Sequence, residues 1–229
     1  MKITLLKNVR RKEVMNRLEL SAIVEMIRNN PDKQKVYNLR LNYPFMKPER
    51  KEDGQIVVDG ENTVNLPRIC FAAEFDKYKE KARMQAYNGL VVVEVNGLKQ
   101  YENAVNIRNQ AARMDETLLA FLGASGKSVK IVCRGELYKD ASQGGEDIKL
   151  PEDEADIRQF HLNLYNTARR AYQNQLGLDI VYMEPLVERT VYLSADPEAF
   201  SILKRVRSRL TRGVTTKGSL HLSRWRVTD

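Results

Sequence analysis

The chain has 229 residues, of which 42% are hydrophobic and 30% charged, and its formal net charge is +8. This length and composition are typical of a globular protein that buries a core without disulfide or metal staples. No apolar run approaches the roughly 20 residues that a membrane-spanning helix needs, and the first residues contain no signal-peptide segment. We therefore expect a cytoplasmic protein with no membrane partner.

The N-terminal third predicts a helix, a strand and a polar excursion. LELSAIVEMIRNNP (18–31) has apolar residues at helical spacing and stops at a proline, whereas VYNLRL (36–41) is a short strand candidate. The polar run 46–62 contains two Asp-Gly turns, which favour an exposed hairpin.

The middle of the chain predicts the sheet. RICFAAEF (68–75), GLVVVEV (89–95) and TLLAFLG (117–123) are apolar runs of the length and composition of strands. Helices are predicted over 102–113 and over 152–176, the second with Asp153 or Asp156 near its start and Gly177 at its end. Two later stretches, LDIVYM (178–183) and RTVYLS (189–194), complete the predicted sheet.

These elements predict one α+β domain with a mostly antiparallel central sheet and helices packed against it. The strands GLVVVEV, TLLAFLG, SVKIVC and RTVYLS are expected to share that sheet. Cys70 and Cys133 lie inside apolar runs without a metal-ligand spacing, so we expect buried free thiols. His161 neighbours the apolar face of the longest helix, and a hydrogen-bonded core histidine is the expectation there.

A Gly-Lys-Ser triplet at 126–128 resembles the end of a phosphate-binding P-loop. A P-loop needs a glycine four residues earlier and a helix afterwards, but Phe121 is at about that position and the strand-like SVKIVC follows. The segment GASGKS (123–128) is therefore predicted to be a tight turn between two strands, and no ATPase activity is expected from it.

The positive charge is concentrated at the C-terminus. Residues 200–229 have eight basic residues and one acidic residue, a net charge of +7, whereas the first 199 residues have a net charge of +1. A basic segment of this density favours contact with nucleic-acid phosphates, although a solvated tail without a partner is the alternative. The basic residues that we assign to this contact are Lys204, Arg205, Arg207, Arg209 and Arg212.

Polar residues at two predicted strand ends indicate a site. Glu94 and Asn96 alternate along one strand and must share a face, as must Ser128 and Lys130 on another. An acidic strand end followed by a Ser-Gly turn and a basic strand resembles the archaeo-eukaryotic primase superfamily. With LPRICFAAEF, GLVVVEVNGL, TLLAFLGASGKSVKIVCRG and RTVYLSADPEAF, the chain more closely resembles the VirE N-terminal domain family of bacterial mobile elements, over about residues 3 to 200.

The resemblance implies a fold, a site and partners. The fold would be of the primase-polymerase type, with an RRM-like palm over residues 1–199 and a basic tail over 200–229. The implied catalytic positions are Glu94 and Asn96, and Mg²⁺ or Mn²⁺ would be held by Glu94 and by a third acid, Asp179, with Glu184 and Asp196 as alternatives. The implied phosphate-binding residues are Ser125, Gly126, Lys127, Ser128 and Lys130. A role in replication or transfer of a mobile element and a separate helicase or ATPase partner are also implied.

Two departures from the implied motifs favour binding over chemistry. Asn96 replaces a carboxylate and binds Mg²⁺ more weakly, and Lys130 replaces a histidine but can still hold a phosphate as a point charge. Three hypotheses remain open from the sequence. They are nucleic-acid or nucleotide binding with a degenerate metal site, an active two-metal primase, and a structural domain in which GASGK is only a hairpin turn.

Overall fold

A computed structural model describes residues 1–7, 14–43, 48–50, 56–58, 66–76, 83–137, 150–202 and 220–222. The helices of this described part are α1 (Leu20–Arg28), α2 (Lys33–Asn42), α3 (Tyr101–Ala111) and α4 (Glu154–Leu176). Its strands are β1 (Lys2–Leu6), β2 (Val14–Glu19), β3 (Pro48–Arg50), β4 (Ile56–Val58), β5 (Arg68–Cys70), β6 (Ala73–Asp76), β7 (Arg83–Tyr87), β8 (Leu90–Val95), β9 (Thr117–Leu122), β10 (Val129–Leu137), β11 (Val191–Tyr192), β12 (Phe200–Ser201) and β13 (Leu220–Leu222).

The described strands form two larger sheets and two hairpins, and every pairing among them is antiparallel. Sheet 1 has the order β11-β5-β1-β2. Sheet 2 has the order β12-β9-β10-β13, and β8 also pairs with β10. The prediction of an α+β fold with antiparallel pairing is confirmed.

Both faces of sheet 2 are covered. On one face, Val93 and Ile131 pack with residues of α3 and α4, such as Leu164. On the other face, Phe121 packs with residues of α1 and sheet 1, such as Ile23. Burial on both sides explains why these strands are nearly continuous apolar runs and why a polar residue within them is exceptional.

Helix α4 follows the capping signals in the sequence. The Asp153 carboxylate accepts a hydrogen bond from the backbone N–H of Ala155 at 2.9 Å, and the helix ends at Gly177 with φ of 63°. The predicted helices over 102–113 and 152–176 are therefore present with small shifts at their ends. The two cysteines are buried free thiols, and His161 is buried with its Nδ1 3.0 Å from the Tyr87 hydroxyl, as predicted.

The segment GASGKS is a turn between antiparallel strands, as predicted. The Gly123 N–H donates to the Ser128 carbonyl at 2.8 Å, and the Gly126 N–H donates to the Gly123 carbonyl at 3.0 Å. Gly126 has φ of 71°, a left-handed conformation that favours glycine. The polar run 46–62 contains the antiparallel pair β3-β4, while its two Asp-Gly turns lie outside the described residues.

The prediction of a strand over 36–41 is wrong, because these residues belong to α2. Val36 and Leu39, three residues apart, are both fully buried, whereas Leu41 is 71% exposed. The pattern Tyr37, Leu39, Leu41 imitates strand alternation, but burial follows the helical spacing.

Two further strand predictions need correction. RTVYLS contributes only Val191 and Tyr192 to a strand, which pairs with β5 in sheet 1 and not with sheet 2. The strand that pairs with the free side of β9 in sheet 2 is instead β12, Phe200 and Ser201. LDIVYM forms no strand, because the Ile180 carbonyl accepts a hydrogen bond from Arg169 of α4 and holds this segment as a loop against the helix.

The predicted tail over 200–229 contributes two described strands, of which Phe200–Ser201 pairs with β9. Leu220–Leu222 pairs with Gly135–Leu137 of β10. The five basic residues assigned to a nucleic-acid contact, Lys204, Arg205, Arg207, Arg209 and Arg212, lie outside the described residues. No helix within the described ranges is long and apolar enough to cross a membrane.

Candidate functional site

A cavity of about 80 Å³ lies where β8 ends and β10 begins, beside the GASGKS turn. Its walls come from α2, the polar ends of sheet 2, the turn and β11. The lining residues are Leu39, Tyr43, Glu94, Asn96, Gly97, Ala124, Ser125, Lys127, Ser128, Lys130, Met183, Thr190, Val191 and Tyr192. Before the basic tail, the sequence assigned eight residues to a site. Six of them line this one cavity, and the exceptions are Gly126 and Asp179.

Glu94 and Lys130 are direct partners across the β8-β10 ladder. The Lys130 ammonium donates to Glu94 Oε2 and also to Asn96 Oδ1, the latter at 3.1 Å. Because alternate residues of a strand face the same way, Glu94 and Asn96 both meet the lysine that stands opposite. The prediction that Glu94 and Lys130 share a face within about 20 Å is confirmed.

Arg189 is the second cation on Glu94. Its Nε donates to Glu94 Oε1 at 3.4 Å, and its Nη1 donates to the Glu184 carbonyl at 2.7 Å. Burial alone would raise the pKa of Glu94, but the charges and hydrogen bonds of Lys130 and Arg189 outweigh it and hold that pKa below its ordinary value. Glu94 is therefore ionised at neutral pH, and the three side chains together have a net charge of +1.

The turn supplies hydroxyl and ammonium groups to the cavity. The Lys127 N–H donates to Ser125 Oγ at 3.2 Å, and the Leu98 N–H donates to the Lys127 carbonyl at 3.1 Å, which fixes the backbone under the lysine. Among the described residues, no carboxylate lies within ion-pair distance of Lys127. Its ammonium group is thus a positive charge in the wall without a described counter-ion.

The turn also depends on a glycine at its first position. A Cβ placed on Gly123 would be 2.0 Å from Ser128 Oγ and 3.2 Å from Lys130 Cε. Any side chain there would push the serine and the lysine away from their positions. Gly123 therefore sets how closely the two strands bring their polar side chains together.

Two tyrosines line the cavity beside cations. The Lys127 Nζ lies 5.8 Å from the centroid of the Tyr43 ring, and the Arg68 Cζ lies 4.4 Å from that of Tyr192. Such cation-π contacts hold the rings in place. Arg68 is held in turn, because its Nη1 donates to Thr190 Oγ1 at 3.2 Å.

The residues do not fit a divalent metal ion. Both oxygens of Glu94 already accept hydrogen bonds from cations, and the Asn96 amide contributes its oxygen to Lys130 and its nitrogen to the Met183 sulfur at 3.4 Å. A Mg²⁺ or Mn²⁺ ion would have to displace an ammonium group to reach a single carboxylate, although hard cations need several oxygen ligands. Within the described ranges, no group of three His, Cys, Asp or Glu side chains could hold a metal ion.

The residues considered for a third acid do not join Glu94. Asp179 is exposed, and it is absent from the cavity wall. The Glu184 side chain is exposed too, and only its backbone carbonyl contacts the site, through Arg189. Asp196 is buried and bonded to Arg108 at 2.7 Å. The geometry therefore gives no support to a carboxylate partner of Glu94.

A family model, that of the BT4734-like N-terminal domain, matches residues 61–200 of the chain. The chain belongs to this family. The match covers the cavity residues from β8, the turn and β11, so these parts of the site belong to the BT4734-like N-terminal domain. The family match does not include α2, which contributes Leu39, or Tyr43, the residue that follows it.

This finding corrects the family expected from the sequence. The matching model is the BT4734-like N-terminal domain and not the VirE N-terminal domain, so the sequence-based assignment is wrong and a primase-like relationship has no support from it. The quoted motifs did mark the matched region, but they did not identify the family. No curated protein and no solved structure matches the chain.

The sequence interpretation missed three residues of the site, Tyr43, Arg189 and Tyr192. Tyr192 had a signal, because Thr190 and Tyr192 alternate along β11 and both line the cavity. Arg189 and Tyr43 had none, because only the tertiary fold brings α2 and the segment before β11 to the end of sheet 2.

Proposed function

We propose that this domain binds a phosphate group of a nucleotide or nucleic acid in the cavity at the GASGKS turn. The observation that supports this best is Lys127, a half-buried residue of the wall of a small cavity, whose ammonium group has no counter-ion among the described residues. Ser125 and Ser128 offer hydroxyl donors in the same wall, and Lys130 brings a second ammonium group. Anions bind where such donors are fixed before the ligand arrives.

The proposal requires binding and no polymerase chemistry. Because Glu94 is occupied by Lys130 and Arg189, it acts as the group that positions Lys130 and limits the positive charge of the site. A primase-polymerase fold type is not needed for this role, and neither the mobile-element role nor the helicase partner is retained, because both came from the corrected family assignment.

Binding to a fluorescent single-stranded oligonucleotide tests the proposal. Lys127→Gln should weaken binding by about tenfold, because a hydrogen bond to a charged group is worth about 1.5–3 kcal/mol. Lys99→Gln is the matched control, since Lys99 is an exposed lysine near the turn that does not line the cavity. Unchanged binding in both Lys127→Gln and Lys130→Gln would show that the cavity does not hold the ligand.

The basic residues after position 203 are a separate source of affinity, and salt dependence separates the two. Replacing Lys204, Arg205, Arg207, Arg209 and Arg212 with glutamine should lower the slope of log affinity against log salt by up to about 3.5, at about 0.7 per phosphate for single strands. Lys127→Gln should lower the slope by less than about 1 and reduce competition by free nucleotide.

A further inference from the structure

We infer that the cavity takes the terminal phosphate of a single-stranded nucleic acid, a phosphate monoester, with bases next to that end stacked on Tyr43 and Tyr192. The inference rests on the proposed phosphate binding and specifies its ligand. It follows from the charge of the site, the size of the cavity and the rings at its wall.

The charge of the site suits a monoester. Lys127, Lys130 and Arg189, together with Arg68, which bonds to Thr190 of the cavity wall, contribute four positive charges, and Glu94 contributes one negative charge, which leaves +3. A phosphate monoester has a charge of about −1.5 to −2 at pH 7, whereas an internal phosphodiester has only about −1. A terminal phosphate therefore neutralises more of the positive charge of the site than a diester does.

The size of the cavity favours an end of the strand. At about 10–15 Å³ for each water, 80 Å³ holds roughly five to eight waters, and a pocket for a whole drug-sized ligand has about 300 Å³ or more. A phosphate group fits, but the nucleoside attached to it must remain outside. A terminal phosphate is esterified to one nucleoside, so one chain must leave the cavity, whereas an internal phosphate is esterified to two.

The tyrosines give the excluded nucleosides a binding surface. Tyr43 and Tyr192 both line the cavity, and each ring is held beside a cation, Lys127 or Arg68. Aromatic rings beside basic groups bind single strands because unpaired bases expose their faces for stacking. Bases in a duplex are stacked on one another, so a single-stranded end fits this arrangement better.

The experiment compares oligonucleotides of about ten nucleotides that differ only in their ends. The strands have a 5′-phosphate, a 3′-phosphate or hydroxyl groups at both ends, and each is also offered as a blunt duplex. One phosphorylated single strand should bind about tenfold more tightly than the hydroxyl strand. This ratio should fall to about 1 in Lys127→Gln and stay unchanged in Lys99→Gln.

The stacking surface has its own variants. Tyr43→Leu and Tyr192→Leu should each weaken binding of the phosphorylated strand by at least about fivefold, while competition by inorganic phosphate stays as it was. Tyr43→Phe keeps the ring but loses the hydroxyl that bonds to Ser125, so it should bind more tightly than Tyr43→Leu, which separates lost stacking from misfolding. Tyr182→Leu is the matched control, because Tyr182 is 46% exposed beside Arg169 but does not line the cavity.

The outcomes separate this inference from the proposed function. Equal affinity for all three ends, or an end preference that persists in Lys127→Gln, overturns the terminal-phosphate inference. If Lys127→Gln still weakens the binding of all strands equally, the proposed phosphate binding in the cavity stands, although the terminal-phosphate inference does not. Tight duplex binding, or full affinity in both tyrosine-to-leucine variants, overturns the single-stranded part.

Discussion

Sheet 2 has a buried carboxylate near each of two edges, and the two carboxylates are paired differently. Asp196 accepts hydrogen bonds from Arg108 at 2.7 Å and from the backbone N–H of Leu122 at 2.8 Å, and Glu198 shares the same arginine. Glu94 instead has two cations, Lys130 and Arg189, and borders a cavity. One cluster has more acid than base, and the other has more base than acid.

The difference separates a structural ion pair from the site that we propose binds phosphate. At Asp196, the donors come from α3 and the backbone of β9, so the cluster ties a helix, a strand and the segment before β12 together. Near Glu94, the Nη2 atom of Arg189 is buried without a hydrogen-bond partner in the described part of the protein. Excess positive charge and unused donors beside a cavity are features of a site that takes an anion.

The largest expected effect lies in the structural cluster. Arg108→Met should lower the free energy of unfolding by about 3–5 kcal/mol, because it removes the ion-pair partner of the buried Asp196 carboxylate. Urea unfolding followed by circular dichroism measures this loss. Glu198→Gln is the control, since the Glu198 side chain is 75% exposed and its removal should cost less than about 1 kcal/mol. Equal losses in both variants would mean that the buried Arg108–Asp196 pair contributes no more to the free energy of unfolding than the exposed Arg108–Glu198 pair.

At the other cluster, Glu94→Gln should reduce stability by about 2–3 kcal/mol, because Lys130 and Arg189 lose their shared carboxylate next to a cavity that admits water. Phosphate should stabilise this variant at least as much as the unmodified protein, since an anion can take the place of the carboxylate. Thermal unfolding with and without phosphate measures both effects. Loss of the phosphate response would instead indicate that Glu94 itself holds the ligand, as a metal-dependent site would require.

A smaller effect is expected at the turn that joins β9 and β10. Gly123→Ala should destabilise the protein by about 1–3 kcal/mol, because the new Cβ would lie 2.0 Å from Ser128 Oγ. The double variant Gly123→Ala with Ser128→Ala removes that oxygen and should recover most of the stability. Its affinity for phosphate should remain reduced. A single variant as stable as the unmodified protein would contradict the close approach of the two strands.

The smallest expected effect is a change in pH dependence. The pKa of Glu94 is lower in the folded protein than its ordinary value of 4.5, so its contribution to stability is complete above about pH 4.5 and is lost as the pH falls through the folded pKa. The stability difference between the protein and Glu94→Gln should therefore shrink only in that acidic range. Burial lowers the pKa of His161 to about 4, but His161 is present in both proteins and cancels in the difference. A difference that does not shrink with acid would contradict the ionised form of Glu94.

The sequence was sufficient for the parts that depend on local pattern. Long apolar runs identified β8, β9 and β10, and helical spacing with end signals identified α1, α3 and α4. Alternation along the strands also placed Glu94, Asn96 and Lys130 on one face. The sequence could not identify α2, because its short apolar pattern fits both the helical and the strand period. It could not assign β11 to a sheet either, because two residues do not show which sheet they join.

The parts of the site that the sequence did not reveal depend on contacts between distant segments. Arg189 reaches Glu94 across 95 positions of the chain, and nothing in its local sequence indicates a buried partner. Knowledge of this second cation changes the interpretation of Glu94, from an implied metal ligand to a carboxylate that is already paired with two cations. The family assignment failed for a related reason. Short apolar strand motifs occur in many families, so they indicate a sheet but do not identify one family.

The contribution of the N-terminal elements to the core has a consequence for domain shuffling. Ile3, Ile23 and Ile27 are fully buried against sheet 2 and sheet 1, and the Arg28 guanidinium donates to the Ala199 carbonyl at 2.8 Å, yet all four precede the region of family similarity. A fragment cut at residue 61 would expose the surface that these side chains cover, at about 1.5–3 kcal/mol for each isoleucine. The unit that must stay together for this core to form is therefore longer than residues 61–200, the region that the family model matches.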